Sequence, residues 1–222
     1  MINAPQTQQE LLQNANRLAG KTLVHLAQIM HEKPPQDLKK QKGWCGQFIE
    51  RCLGADGGNL PQPDFSTLGI ELKTLPISPH GLVQESTYVS VVNLKGALGQ
   101  NWRESVVYQK LKQVLWVPIA HVKGQSLLES RIATPFFWSM DSTQERLLRQ
   151  DWENVMDKVS MGEIHQISAR MGEVLQVRPK AAHSRVITET INEDGESSQT
   201  LPRGFYLRSR FTQSLLDRAL KR

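Results

Sequence analysis

The amino-acid sequence predicts an α/β fold, a mixed sheet flanked by helices, and three observations support it. Roughly the first 60 residues place apolar side chains at helical spacing. Three later stretches alternate or run apolar as strands do, at residues 68–75, 86–94 and 114–119. Further helical patterns, at 102–112 and from 142 onward, are interleaved with the strands without internal repeats. This interleaving is typical of α/β or α+β proteins with a mixed sheet.

The composition is that of a folded protein. The chain has 222 residues, 39% of them hydrophobic, with five Trp and six Phe. Such a chain can bury a core, which excludes collagen-like, coiled-coil and wholly disordered proteins. At about 150 residues per domain, its length predicts one large domain or two lobes. No apolar run reaches the roughly 18 residues of a membrane span and the N-terminus lacks signal-peptide features, so we expect a cytoplasmic protein without membrane contact.

The net charge gives a first indication of function. The chain carries +5 at neutral pH. Its last 25 residues hold six basic side chains against one acidic, Asp217, and so account for the whole surplus. A basic region of this kind suits a polyanion, most simply nucleic acid, although an ordinary solvated basic face fits the charge equally well.

Three helices are predicted in the first part of the chain. Thr7 and Glu10 form a T-x-x-E capping box before the first helix, and Gly20 follows its end. Thr22 can cap a second helix that ends by Pro34-Pro35. The third runs over about 44–53, with Glu50 off the centre of its buried face and Gly54 after it. Its apolar stripe consists of Trp44, Phe48, Ile49, Cys52 and Leu53.

The two cysteines, Cys45 and Cys52, lie seven residues apart in this predicted helix. That spacing separates their Cα atoms by roughly 10 Å, beyond the reach of a disulfide. Two cysteines without a histidine pair are also too few for a structural zinc site. We therefore expect free thiols, and any metal must bind oxygen ligands.

The second half of the chain continues the mixed pattern. Ser142 with Glu145 forms a second capping box that opens a long helix. The remaining elements are a strand at 174–178, a turn at 192–195, a strand at 205–207 and a closing helix at 212–220.

The most informative stretch runs from Pro63 to Lys73. Successive side chains of a strand alternate, so Glu71 and Lys73 emerge together on one face, about 6.6 Å apart, while Ile70 and Leu72 face the core. Gly69 can make a turn that bends Asp64 back toward Glu71. Two converging carboxylates suit Mg²⁺, and a neighbouring ammonium can orient water or stabilise phosphorane charge.

The same residues allow a simpler interpretation. Glu and Lys alternate on the solvated face of many amphipathic strands, and D-x₆-E-x-K alone is a weak pattern. Its context favours a metal-dependent nuclease, because a Pro-Asp pair, a preceding loop, a helix offering Glu50 and a basic chain accompany it.

Five separated motifs, in the same order, resemble the PD-(D/E)xK nucleases and, among these, the MutH family of methyl-directed mismatch-repair endonucleases, over nearly the whole chain. The motifs are Lys42-Gly43-Trp44 with Glu50 and Leu53-Gly54, Asp64-Phe65 with residues 68–74, Lys110-Leu111-Lys112 before Val114-Leu115-Trp116, Arg178-Pro179-Lys180-Ala181, and residues 201–207. The resemblance implies one restriction-endonuclease-like domain over 1–222, with two arms around a DNA-binding cleft. Residues of about 1–119 would form mainly the catalytic arm, and 120–222 mainly the DNA-recognition arm.

The resemblance implies a role for each site residue. Asp64 and Glu71 would ligate Mg²⁺, Glu50 would complete the acidic cluster, and Lys73 would act on the attacking water. Lys110 is similar to the family's second catalytic lysine; the residues alone favour a solvated helix lysine at this position.

DNA recognition, by the same resemblance, belongs to the C-terminal half. Arg178 and Lys180 would enter the major groove, where an arginine can donate two hydrogen bonds to guanine. Tyr206 matches the position that senses adenine methylation. Arg203 and Arg208 would meet phosphates or water, a solvated surface being their alternative.

The implied reaction is a Mg²⁺-dependent nick in the unmethylated strand of double-stranded DNA at hemimethylated GATC. The implied partners are MutL with ATP and, indirectly, MutS; the protein itself is expected to be monomeric. Two other functions remain open: a non-catalytic GATC-binding regulator, and a double-strand GATC restriction endonuclease.

Overall fold

The structure, a computed structural model, describes residues 3–35, 37, 43–58, 62–95, 99–180 and 186–221. Lys42 and Ala181 of the motifs above lie outside these residues. The helices are α1 (Gln8–Leu18), α2 (Leu23–Ile29), α3 (Trp44–Leu53), α4 (Val106–Leu111), α5 (Ser142–Ser160) and α6 (Ser209–Ala219). The strands are β1 (Glu71–Ile77), β2 (Thr87–Val91), β3 (Gln113–Ala120), β4 (Arg131–Ile132), β5 (Phe136–Ser139), β6 (Leu175–Pro179), β7 (Thr188–Ile191), β8 (Ser197–Thr200) and β9 (Arg203–Leu207). The predicted mixed α/β class is confirmed.

The chain divides into two compact units that are interleaved in sequence. The first comprises Met1–Glu85, Lys112–Ser139 and Asp217–Arg222, and the second comprises Ser86–Leu111 and Met140–Leu216. The chain therefore passes from one unit to the other four times. The predicted catalytic arm (about 1–119) and recognition arm (about 120–222) are defined by function and not by compactness, so that division stays a prediction.

A four-stranded mixed sheet forms the centre of the first unit. β1 runs parallel to β3, and β4 and β5 pair antiparallel with the other side of β3. The strands predicted at 68–75 and 114–119 are confirmed in type, but β1 begins only at Glu71 because residues 66–69 form a turn.

The three N-terminal helices cover this sheet. The hydroxyls of Thr7 and Thr22 accept hydrogen bonds from the N–H groups of Glu10 and His25, as predicted for the N-caps. The Glu10 carboxylate accepts from the N–H of Gln6, so of the predicted capping box the Thr7 half is confirmed. α2 ends at Ile29, earlier than predicted, because His31 adopts φ 52°, which interrupts the helix before Pro34-Pro35. α3 ends at Gly54 in the left-handed conformation. The predicted α3 stripe is buried in full.

A three-stranded antiparallel sheet, in the order β2-β9-β6, lies in the second unit together with the β7-β8 hairpin, α4, α5 and most of α6. The helix predicted at 102–112 is divided into a 3₁₀ turn, Trp102–Glu104, and α4, because Ser105 takes an extended conformation.

The predicted cap of α5 was wrong by one residue. Asp141, not Ser142, is the N-cap: its carboxylate accepts from the Gln144 N–H, and the Gln144 side chain accepts from the Asp141 N–H. Asp141 with Gln144 and Ser142 with Glu145 both satisfy the capping-box pattern. The extended backbone conformation of Asp141 places the cap at that residue.

Both cysteines are free thiols, as predicted. Burial raises the pKa of each to about 12. Within the described ranges, no helix combines the length and apolarity needed to cross a membrane.

Candidate active site and nucleic-acid interface

A tight turn brings Asp64 to the beginning of β1. The N–H groups of Phe65 and Ile70 donate to each other's carbonyls at 2.9 and 3.2 Å, and Gly69 between them has φ 65°. Phe65 and Ile70 are buried and anchor the turn in the core. The Asp64 carboxylate consequently accepts the N–H of Leu72 through Oδ2 at 2.8 Å. The predicted return of Asp64 toward Glu71 is confirmed, since its carboxylate bonds the backbone of Leu72, the residue after Glu71.

Asp56 holds this turn in place, a role that the sequence analysis missed. Its carboxylate accepts from the N–H and the hydroxyl of Ser66, at 2.7 and 2.9 Å. The N–H groups of Asp56 and Gly57 both donate to the Asp64 carbonyl. A Cβ at Gly57 would lie 2.5 Å from the Pro63 carbonyl oxygen, so this close approach requires glycine. The Asp-Gly-Gly run was the available signal.

Glu71 and Lys73 form a buried ion pair. The Lys73 ammonium donates to Glu71 Oε1 at 2.9 Å, and the two residues are only 3% and 8% exposed. They share one face of β1, as predicted, but that face is covered. The solvated amphipathic strand, the alternative interpretation of this stretch, is therefore wrong.

Strand β3 supplies apolar neighbours on the same face. In the parallel pairing, Val114 lies beside Glu71 and Trp116 beside Lys73. Paired residues of adjacent strands direct their side chains to the same side of a sheet. Trp116 is fully buried, and its indole N–H finds no acceptor within the described part of the chain. The ion pair thus lies next to aromatic and aliphatic side chains.

Glu50, Lys110 and Lys112 have different placements. Glu50 is half-buried on α3, in the same unit as Asp64 and Glu71. Lys110 is half-buried near the end of α4, in the second unit. Lys112, to which the sequence analysis gave no role, belongs to the first unit, and its ammonium lies 3.8 Å from the point that a Cβ on Gly69 would occupy.

Glu32 fixes the helix that carries Glu50. Its carboxylate accepts from the Trp44 indole at 3.1 Å and from two guanidinium nitrogens of Arg51 at 3.0 and 2.5 Å. The hydrogen bond from Arg51 holds the pKa of Glu32 below its ordinary value. Both donors belong to α3, so this carboxylate ties the helix to the segment after α2.

The donor set fits a hard divalent cation. The carboxylates of Asp64 and Glu71 offer the oxygen ligands that Mg²⁺ prefers. Among the residues that the structure describes, no three or more His, Cys, Asp or Glu side chains form a metal-binding group. A cation here would thus take its remaining ligands from water or substrate, as is usual for Mg²⁺.

In the second unit, three predicted recognition residues lie on the β2-β9-β6 sheet or directly after it. Arg178 on β6 is exposed and donates to the Ser86 hydroxyl at 2.8 Å. The Lys180 ammonium lies 3.5 Å above the ring of Tyr88, and Tyr88 meets Tyr206 edge-on at 5.3 Å. A Cβ on Gly204 would approach both tyrosine rings to about 3 Å, so glycine leaves them room.

Arg203 and Arg208, also predicted to contact DNA, bind carbonyls of their own chain. Arg203 donates to the Ile167 carbonyl at 2.8 Å, and burial lowers the pKa of its guanidinium. Arg208 donates to four consecutive carbonyls, those of residues 169–172. The sequence signals positive charge at these positions, but it does not show these bonds.

Comparisons with known proteins agree with the motifs. The family model described as "DNA mismatch repair enzyme MutH" matches residues 53–151. Curated relatives named "DNA mismatch repair protein MutH" include one from Klebsiella pneumoniae, 47% identical over 98% of this chain and 94% of its own length. Others come from a Shewanella species, 46% identical over 98% of this chain and 97% of the relative, and from Escherichia coli, 44% identical over 98% and 95%.

Proposed function

Since the chain belongs to the MutH family of DNA mismatch repair enzymes, we propose that it is a Mg²⁺-dependent endonuclease that nicks the unmethylated strand of hemimethylated GATC sites. The single observation that carries the proposal is the arrangement at the start of β1. There, two buried residues, Asp64 and Glu71, present carboxylates beside a buried Lys73 ammonium. Burial of these charged side chains has a free-energy cost that a purely structural strand would avoid.

Asp64 and Glu71 would hold Mg²⁺. Glu50, on α3 of the same unit, would add a third carboxylate near them, although the three do not form one metal-binding group among the described residues. The bound ion would supply Lewis-acid stabilisation of charge on the phosphate and lower the pKa of water. Lys73, whose Nζ donates a hydrogen bond to Glu71 Oε1, would orient the attacking water or stabilise negative charge on the phosphate. Lys110 would serve as a second cation near the scissile phosphate.

Arg178, Lys180 and Tyr206 would read the DNA sequence and its methylation. The exposed guanidinium of Arg178 has the paired donors that guanine O6 and N7 accept. Tyr206, packed edge-on against Tyr88, would be held in a defined orientation near the adenine methyl group. The direct contacts assigned to Arg203 and Arg208 compete with their existing bonds to backbone carbonyls.

The proposed physiological context is mismatch repair, in which MutL with ATP activates the nick after MutS has detected the mismatch. The protein would act as a monomer on double-stranded DNA.

The test uses plasmids with a single GATC site in unmethylated, hemimethylated and fully methylated forms, incubated with Mg²⁺, with and without MutL and ATP. We expect nicks confined to the unmethylated strand and stimulated by MutL. Glu71→Gln should bind the same DNA but lose nicking by at least about two orders of magnitude, since the charge-stabilising site is lost.

Other products would contradict the proposal. GATC binding without a nick, even with MutL, would indicate the non-catalytic regulator. Linear plasmid from the unmethylated substrate would indicate a double-strand restriction endonuclease. Full activity of Glu71→Gln would remove the carboxylate cluster from the reaction.

A further inference from the structure

A buried carboxylate organises the loop that leads into β6. Asp151 on α5 is 6% exposed and accepts three successive backbone N–H groups. Oδ1 accepts from Glu173 at 2.9 Å, and Oδ2 accepts from Val174 and Leu175 at 2.7 and 2.8 Å. Charged acceptors of backbone N–H groups make strong hydrogen bonds, and a buried N–H without a partner is costly. The start of β6 is therefore tied to α5.

A guanidinium organises the carbonyls of the same loop. Arg208, the residue after β9, donates through Nε to Gly172 at 3.0 Å and through Nη2 to the carbonyls of Ala169, Arg170 and Met171 at 2.9 to 3.1 Å. Its own N–H donates to the Val174 carbonyl at 2.9 Å. One cationic side chain thus gathers four consecutive carbonyl groups.

Gly172 makes this geometry possible. Its φ is 81°, and a Cβ there would lie 1.8 Å from the Leu175 carbonyl oxygen. No side chain fits at this distance, so the loop closes on itself only with glycine. We call Asp151, Arg208 and the loop 169–175 the polar clamp.

The polar clamp lies at the end of both strands that carry the recognition residues. Leu175, the first residue of β6, pairs with Leu207, the last of β9. Arg178 follows Leu175 by three residues, about 10 Å along the strand, and Tyr206 precedes Arg208 by two. A shift at the clamp would therefore be transmitted along paired strands to both side chains.

We propose that the polar clamp is a positioning device for DNA readout: Asp151 and Arg208 set the register and orientation of β6 and β9, and Arg208 acts through the sheet and not on a phosphate. The inference rests on the proposed function, because it assumes that Arg178 and Tyr206 read GATC. It assigns Arg208 a role in specificity, and it adds Asp151, which no motif singled out.

Equilibrium binding of the full chain to labelled duplexes tests the proposal. One duplex carries hemimethylated GATC and the other carries a single-base change in that site, both at several salt concentrations without Mg²⁺. The variants are Asp151→Asn, Arg208→Ala and Arg208→Lys. The matched control is Arg149→Ala, which removes an equal charge from an exposed guanidinium on α5 that bonds Glu153, outside the polar clamp.

We expect Asp151→Asn and both Arg208 variants to lose at least about fivefold of the preference for GATC, comparable to one good base contact. Arg208→Lys should lose the preference for GATC although the positive charge is kept, because one ammonium cannot donate to four carbonyls. The slope of log affinity against log salt should stay that of the wild type. Arg149→Ala should keep the preference for GATC. The affinity of each protein is measured well below its unfolding temperature, which is determined by circular dichroism.

The phosphate-contact alternative gives the opposite pattern. Arg208→Ala would then reduce the salt slope by about 0.9 while keeping the preference for GATC, and Arg208→Lys would behave as the wild type. Either result overturns the polar clamp, as does full preference in a folded Asp151→Asn protein. If Asp151→Asn does not fold, Arg208→Lys decides. A wild type without any preference for GATC would instead refute the proposed function itself.

Discussion

At the scale of single residues, the buried Glu71–Lys73 pair dominates the site. Removing water from two charges is expensive, and the hydrogen bond at 2.9 Å offsets this cost only while both partners are present. Loss of Glu71 alone would leave an ammonium in a covered position beside Trp116. The two residues are thus coupled in stability as well as in the proposed chemistry.

We predict that Glu71→Ala lowers the free energy of unfolding by about 3–5 kcal/mol, because it strands the buried Lys73 charge. Adding Lys73→Met should restore much of this loss, since an apolar side chain of similar length replaces the uncompensated ammonium. Urea unfolding of the wild type, both single variants and the double variant measures the coupling. Strictly additive effects would show that the pair is not coupled. Glu71→Gln, which keeps an acceptor for Lys73, is accordingly the milder variant for activity assays.

At the scale of elements, the caps decide where helices begin. α5 carries Asp151, and its first turn is closed by the reciprocal bonds of Asp141 and Gln144. Ser142, which the sequence analysis placed at the cap, is the first residue inside the helix and is exposed.

Asp141→Ala should lower the free energy of unfolding by about 1 kcal/mol, the usual cost of losing an N-cap side chain. Ser142→Ala, the matched control one residue along, should change it by less than about 0.5 kcal/mol, as exposed substitutions do. Thermal and urea unfolding of the two proteins make the comparison. If Ser142→Ala lowered the free energy of unfolding more than Asp141→Ala, Ser142 would be the N-cap instead.

At the scale of the whole molecule, the connectivity of the two units matters. Each unit is assembled from separate segments of the chain. A cut after residue 119 separates β3 from its partner β5, and β2 from its partner β9. Neither half then contains the complete four-stranded or the complete three-stranded sheet, although 120–222 keeps the β7-β8 hairpin.

We predict that fragments 1–119 and 120–222, expressed separately, lack cooperative thermal transitions, because each leaves strand edges and apolar faces unpaired. Mixing the two should recover native-like secondary structure. Circular dichroism and amide hydrogen exchange, with the intact chain as reference, measure both. Independent cooperative folding of either fragment would contradict this view of the sheets.

The sequence by itself determined the local elements. Caps, apolar stripes and left-handed glycines act within a few residues, so Thr7, Thr22, the α3 stripe and Gly54 all took their predicted roles. The return of Asp64 to β1 was also predictable, because it depends on the nearby Gly69 turn. The predicted turn at 192–195 connects β7 to β8, but these two strands and the short strands β4 and β5 were missed, since strands of two to four residues carry too little periodicity to distinguish them from loops.

Only the tertiary structure decided which charged side chains are buried and what they bind. The alternation of Glu71 and Lys73 has the same pattern on a solvated or a covered strand, and only the surrounding fold shows that this face is covered. Asp151 binds N–H groups 22 to 24 residues away, and Arg208 binds carbonyls 36 to 39 residues away. Hydrogen bonds over such separations depend on how distant segments pack, and no local sequence pattern encodes them. The long range of these interactions is the physical reason why the sequence alone did not predict them.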